Sequence, residues 1–236
     1  MEDREQKLTE HIAELRNRLK RVIIALAVLT LTIFFFSPNI IKFLWQELVG
    51  SQMFAFGVME WILLNLTFSL ILGLIFVYPY ASLELYLFAK PGLYENERIF
   101  LKIIMAFGYL LFLFGLFFAL KFIVPAIYSL SYGEEFYSVE RTLNNALRIA
   151  LIFAFSLQIP LAIFLLESFG LVKYETMKDL RIPIYIIIII IIFNSPVNIS
   201  GLTQIISLLV FVLMFEIGIA MLGLSKRYIQ QGRSKR

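Results

Sequence analysis

Three carboxylates stand among basic residues in this chain, Glu14 near its start and Glu95 and Glu97 in a charged connection between two apolar segments. Acidic groups on a face otherwise rich in Lys and Arg suit a cationic ligand. Arginine fits best, because its planar fork pairs bidentately with a carboxylate. Each candidate also has a purely structural reading. Asn96-Glu97-Arg98 follows the turn signal Pro91-Gly92, and a carboxylate in a first helical turn is favoured by the helix dipole whether or not it binds anything. Glu14 stands four residues before Arg18, the spacing of an intrahelical ion pair.

A second group of polar residues interrupts apolar sequence: Gln158, Glu167 and Glu216. An amide near mid-membrane needs a hydrogen-bonding partner, either within its own bundle or on a partner's helix. Intramembrane carboxylates are the usual equipment of proton-coupled transport, so a small-solute transporter using Glu167 or Glu216 is an alternative reading. Against it, both lie near one edge of their spans, and the sequence has no matched pair of broken helices. Catalysis is not expected. There is no HExxH, nucleophile elbow or glycine-rich phosphate loop. The chain has no cysteine and one histidine, His11, so it offers no thiolate or zinc site. No cofactor, metal or nucleic acid is implied.

These residues need mounts, and composition says what the mounts are. With 60% hydrophobic and 16% charged residues, the chain is an integral membrane protein. Residues 1–236 read as one all-α, polytopic domain. Residues 1–21 are too charged for a cleaved signal peptide, and Leu8, Ile12, Leu15 and Leu19 share one helical face, which describes an amphipathic helix on the membrane surface. Spans are expected at 22–36, ended by Ser37-Pro38-Asn39, then 61–83, 103–120, 149–166, 182–193 and 202–224, six in all. The connections 37–60 and 121–148 are long enough for short helices forming an outer cap. Basic residues divide 17 to 4 between alternate sides. That bias predicts that both termini and the 84–102 loop are cytoplasmic.

The final hairpin is short. Twelve apolar residues from 182 to 193 rise about 18 Å against a hydrocarbon core of about 30 Å, so the turn after them is expected inside the outer leaflet. The same arithmetic for the returning helix brings Glu216 to the level of Arg181, close enough for an ion pair.

Five runs of residues, in order and between the six spans, resemble the TatC family, the multispanning subunit of twin-arginine protein translocases. His11-Ile12-Ala13-Glu14-Leu15-Arg16-Asn17-Arg18-Leu19 is similar to the family's HLxELRxRL opening, and residues 88–98 to its FxxPxLYxxER loop. Phe155-Ser156-Leu157-Gln158-Ile159-Pro160 is similar to the F-x-x-E/Q-x-P of the fourth span. Ser195-Pro196-Val197-Asn198 and Phe215-Glu216-Ile217-Gly218 are similar to the last turn and to the FEIG of the last span, although Asn198 stands where an acidic residue is often found. The resemblance implies a receptor in the cell inner membrane that binds the Arg-Arg signal peptide of folded cargo. It implies that Glu14 and Glu97 recognise the arginines, with Arg16, Pro79, Phe88, Leu93 and Tyr94 supporting the site. It also implies single-span TatA-like and TatB-like partners in an oligomeric complex, and export driven by the proton-motive force.

Overall fold

Proline does not end the first helix. In the computed structural model, which describes residues 2–48, 57–129, 139–170, 172–193 and 201–234, helix α1 runs unbroken over Glu2–Leu48 with Pro38 inside it. The expected surface helix 1–21 and span 22–36 are therefore parts of one element, and Ser37-Pro38-Asn39 is not its end. A helical proline strips the donor from the carbonyl four residues back. Here that carbonyl belongs to Phe34, and Ser37 Oγ lies 2.9 Å from it. The same hydroxyl lies 2.9 Å from Asn65 Oδ1 on α2, Val58–Ala89, so one proton serves two acceptors. Asn65 Nδ2 donates to the Trp61 carbonyl at 2.8 Å. Both Ser37 and Asn65 are buried. Their polar groups are met by protein, as burial away from water requires.

The chain continues through a one-turn 3-10 helix, Lys90–Gly92, into α3, Glu95–Phe118. A π-helical turn, Ala119–Ile123, carries it on into the short α4, Val124–Ser129. Then come α5, Val139–Ser156, α6, Gln158–Ser168, α7, Tyr174–Asp179, α8, Arg181–Phe193, and α9, Gly201–Ser234. Of the short helices expected in the two long connections, the second holds α4, while in the first the run 40–45 forms the last turns of α1. The stretches Thr9–Glu47, Val58–Gly92, Glu95–Ser129, Thr142–Ser168 and Gln204–Gly223 are each long and apolar enough to cross a membrane, and Arg181–Ile190 is a shorter apolar helix. The fold is thus all-α and polytopic, with five full-length spans and a short one among the described residues.

The fourth span, expected without interruption over 149–166, is broken at Leu157 between α5 and α6. Pro160 has no N–H to return to the Ser156 carbonyl, and the break puts it in the first turn of α6, where that missing donor costs least. Leu157 N and Ser156 Oγ both donate to the Phe153 carbonyl, at 3.2 and 2.9 Å, closing the end of α5. Gly170, at φ 68°, turns the chain out of α6, its N–H reaching the Glu167 carbonyl at 2.8 Å.

The helices gather into two compact units, residues 1–110 with 125–147, and residues 111–124 with 148–236. In the first, α1 packs along α2 around Ile41, Trp45, Leu64 and Phe68, all buried. In the second, Ile163, Met177, Phe215, Ile219 and Leu222 form a core shared by α6, α7 and α9. Gly218 lets α9 lie against α6: a Cβ there would stand 3.2 Å from Pro160 Cα and 2.7 Å from Ile163 Cδ1. Two residues before Gly218, Glu216 Oε2 meets Arg181 Nη2 at 2.8 Å, the ion pair that span length predicts. Tyr185 Oη donates to the other oxygen of the same carboxylate.

The turn expected at 194–201, with Ser195-Pro196-Val197-Asn198, lies outside the described residues except for Gly201. The depth of its approach is still testable, since α8 spans only Arg181–Phe193. With Arg181 at one membrane boundary, Phe193 should stop about 18 Å in, well inside a core of about 30 Å. A single Phe193→Cys spin label, in a chain with no native cysteine, is expected to report hydrocarbon depth in reconstituted bilayers. A label at headgroup level in an unthinned bilayer would rule the short span out.

Candidate functional site

Along α1, residues 14, 18 and 21 recur at four and three positions and share one face. That stripe meets α2 at Tyr80 and Glu84, themselves one turn apart. Arg18 bridges the two helices. Its Nε and Nη2 donate to Glu14 Oε1 at 3.0 and 2.6 Å, and its Nη1 donates to Glu84 Oε2 at 3.0 Å. Arg21 Nη2 comes within 3.2 Å of the same Glu84 oxygen, and Tyr80 Oη donates to Glu84 Oε1 at 2.9 Å. The side chain of Glu84 is 6% exposed and that of Glu14 39%, so the inner carboxylate is enclosed and the outer one reaches solvent. The intrahelical Glu14–Arg18 pair is therefore formed, but within a network anchored on α2. Across α1, Ile12, Leu15 and Leu19 stay exposed, the apolar stripe left without a protein partner in this arrangement.

The second cluster is the loop that joins α2 to α3. Glu97 Oε2 accepts the backbone N–H of Tyr94 at 2.9 Å, the return half of a capping box, with Tyr94 immediately before the helix and Glu97 in its first turn. Arg98 Nε donates to the carbonyls of Leu93 and Lys90, at 3.0 and 3.2 Å, and Leu93 N returns to the Lys90 carbonyl at 3.3 Å. These bonds give the connection a fixed shape that presents Tyr94, 80% exposed, and Glu95 outward. Glu97 is half-buried and keeps a second carboxylate oxygen beyond the one used in the cap. Phe88 and Leu93 are half-buried, and Arg16 is exposed. Both clusters belong to the same end of α2: Glu84 precedes Lys90 by six residues, about 9 Å of helical rise.

Pro79 precedes Tyr80 of the first cluster on α2. It lines a groove of about 580 Å³ with Leu83, Tyr86, Lys102, Met105 and Tyr109, whose Lys102 ammonium lies 5.1 Å from the centre of the Tyr86 ring. Gln158 begins α6, half-buried, directly after the break at Leu157. Glu167 occupies the last turn of the same helix, and Glu216 is held by Arg181 and Tyr185. Among the described residues, no three His, Cys, Asp or Glu side chains stand together in a way that could hold a metal ion.

The family described as Sec-independent protein translocase protein (TatC) matches residues 10–206. The chain belongs to the TatC family. A Sec-independent protein translocase protein TatC of Methanocella arvoryzae is 32% identical over 235 residues, covering 93% of this chain and 94% of its own. The TatC of Halalkalibacterium halodurans is 26% identical, covering 98% and 94%. In fold, the chain matches a crystal structure described as the twin arginine translocase receptor TatC, with a TM-score of 0.77 at 22% identity over 92% of this chain and 99% of that one. This TatC-family chain is a multi-pass membrane component of Sec-independent protein translocation. The matched segment contains Glu14, the 88–98 loop and Gln158, and stops short of Glu216. It also contains Tyr80, Glu84 and Arg21, which motif reading passes over. A signal for the first pair was present: Tyr80 and Glu84 stand four residues apart, where a long uncharged run ends.

Proposed function

We propose that this TatC-family chain is the core receptor of a twin-arginine translocase. Glu14 and Glu97 form one acidic site at the cytoplasmic face of the inner membrane for the Arg-Arg pair of a folded cargo's signal peptide. Arg16, Phe88, Leu93 and Tyr94 shape its surroundings. The observation that carries this reading is that Glu14 already accepts a guanidinium through two N–H groups, those of Arg18. A signal peptide follows its basic residues with an apolar stretch. The apolar groove beside Pro79, Tyr86 and Tyr109 lies in the same unit, further along α2 from the loop, and suits that stretch.

Both termini are cytoplasmic in this reading, TatA-like and TatB-like single-span subunits complete the complex, and the proton-motive force drives export without a cofactor. Gln158, at a helix break, is the residue offered to a partner's transmembrane helix. The alternative of proton-coupled solute transport is disfavoured by Glu216, whose two carboxylate oxygens are engaged by Arg181 and Tyr185.

The test is equilibrium binding of a fluorescent peptide carrying Arg-Arg, against the same peptide carrying Lys-Lys, to the full chain in detergent. Because exposed ion pairs are individually weak, Glu14→Gln and Glu97→Gln should each weaken Arg-Arg binding about two- to five-fold, and together more. Unchanged binding in the double variant would put the site elsewhere. Equal affinity of wild type for both peptides would remove arginine recognition from the chain altogether.

A further inference from the structure

The receptor's own Arg18 already holds one oxygen of the carboxylate that a signal arginine needs, and it does so with a second carboxylate within reach. We propose that Arg18 is an affinity-setting internal competitor for Glu14, with Glu84 as the place to which it withdraws; this rests on Glu14 being a signal-peptide ligand.

The geometry makes exchange inexpensive. Arg18 divides its fork, giving Nε and Nη2 to Glu14 and Nη1 to Glu84. An incoming guanidinium that takes Glu14 leaves Arg18 still bound to Glu84, where its charge remains compensated. The enclosure of Glu84, with Tyr80 on one oxygen and Arg21 beside the other, keeps that carboxylate in place while the more exposed Glu14 changes partner. No buried charge is stranded at any stage.

Competition of this kind lowers the affinity of every ligand for Glu14 by one factor, the inverse of the fraction of chains in which that carboxylate is vacant. Preference for arginine over lysine then rests on what Glu14 itself gains from a guanidinium fork, which a lysine ammonium does not match. Arg18 thus raises the threshold equally for every cation. Its positive charge also repels both peptides, and a lysine at position 18 keeps that charge while giving up the fork, which separates repulsion from occupancy.

The experiment compares wild type, Arg18→Gln and Arg18→Lys in binding the Arg-Arg and Lys-Lys peptides, with the full chain in detergent and thermal unfolding run on each variant. In Arg18→Gln, Arg-Arg binding is expected to tighten about two- to five-fold and Lys-Lys binding by the same factor, so that the Arg/Lys ratio stays as in wild type. Arg18→Lys retains the charge but cannot span both carboxylates, and its Arg-Arg affinity is expected to lie between the two. Arg-Arg binding that is unchanged or weaker in both folded variants, or tighter in Arg18→Gln while Arg18→Lys binds as wild type, overturns the proposal. Should Arg18→Gln melt well below wild type, the Arg18→Lys affinity decides alone. If Glu14→Gln leaves wild-type binding untouched, the failure belongs to the underlying assignment of Glu14, because competition for a carboxylate that binds nothing has no readout.

Discussion

Glu84→Leu is expected to weaken binding of an Arg-Arg signal peptide by more than about tenfold, a larger loss than removing either Glu14 or Glu97, although Glu84 itself never meets the ligand. In the intact network Glu84 holds Arg18 and Arg21 at 3.0 and 3.2 Å, with its side chain only 6% exposed. Removing an enclosed carboxylate costs more than removing an exposed one, because Arg18, only 17% exposed, then depends on Glu14 alone for compensation. Arg18 then has Glu14 as its sole carboxylate among the pairs described, and Arg21 adds uncompensated positive charge where a positive ligand has to land. Both changes act in the same direction. The double variant Glu84→Leu/Arg18→Gln separates them from simple misfolding: with Arg18 gone, Glu14 is free again and Arg-Arg binding should recover by several-fold. Peptide titrations of the two variants, paired with melting curves, check this. A Glu84→Leu protein that binds as well as wild type would show that the α2 carboxylate has no bearing on the site.

The sequence is most informative where one residue's chemistry decides a local structure, and least informative where a compensation comes from another helix. Spans were legible from uncharged runs, and the Arg181–Glu216 pair from rise per residue alone, because both follow from length. Pro38 misleads for the opposite reason. A proline after a span reads as a stop, but Ser37 supplies a hydroxyl to the Phe34 carbonyl, and Asn65, on a different helix, helps to bury that hydroxyl. Pro160 shows the converse, since it interrupts a span that its hydropathy describes as continuous. At the candidate site, Glu14 and Glu97 were visible through their motifs, yet both also make the structural contacts that the simpler readings anticipate. What stayed hidden was Glu84. Its role depends on α1 laying residues 14, 18 and 21 against α2, and nothing in a one-dimensional pattern gives the rotation of one helix against another.

Gly115→Ala is expected to cost the protein about 1–3 kcal/mol of stability, although alanine is the better helix former by about 0.8–1 kcal/mol. The sign is decided by what a new methyl group would meet. A Cβ at position 115 of α3 would stand 2.8 Å from Ala154 Cα and 2.8 Å from Leu157 Cδ1. Leu157 can rotate away, but the Ala154 Cα is backbone of α5, and carbon atoms settle at about 3.5–4.0 Å. The two helix segments must therefore separate by roughly the difference, about 0.7 to 1.2 Å, which is a large step in a close-packed interior. That separation is felt by neighbouring contacts on the same faces, the Phe112–Phe155 pair at 5.2 Å and the Phe118–Phe153 stack at 5.8 Å. Between membrane helices small residues matter for this reason: lipid competes equally for apolar surface, so association depends on close backbone approach. Gly218→Ala provides the comparison, because its nearest contact is the end of a flexible side chain, Ile163 Cδ1 at 2.7 Å, with Pro160 Cα further away at 3.2 Å. Loss of helical circular dichroism on heating in detergent should rank the variants with Gly115→Ala lowest, Gly218→Ala between, and wild type highest. Adding Leu157→Ala to Gly115→Ala should not restore stability, since the backbone collision persists; full recovery in that double variant would mean that the leucine, and not the approach of the two backbones, sets the limit.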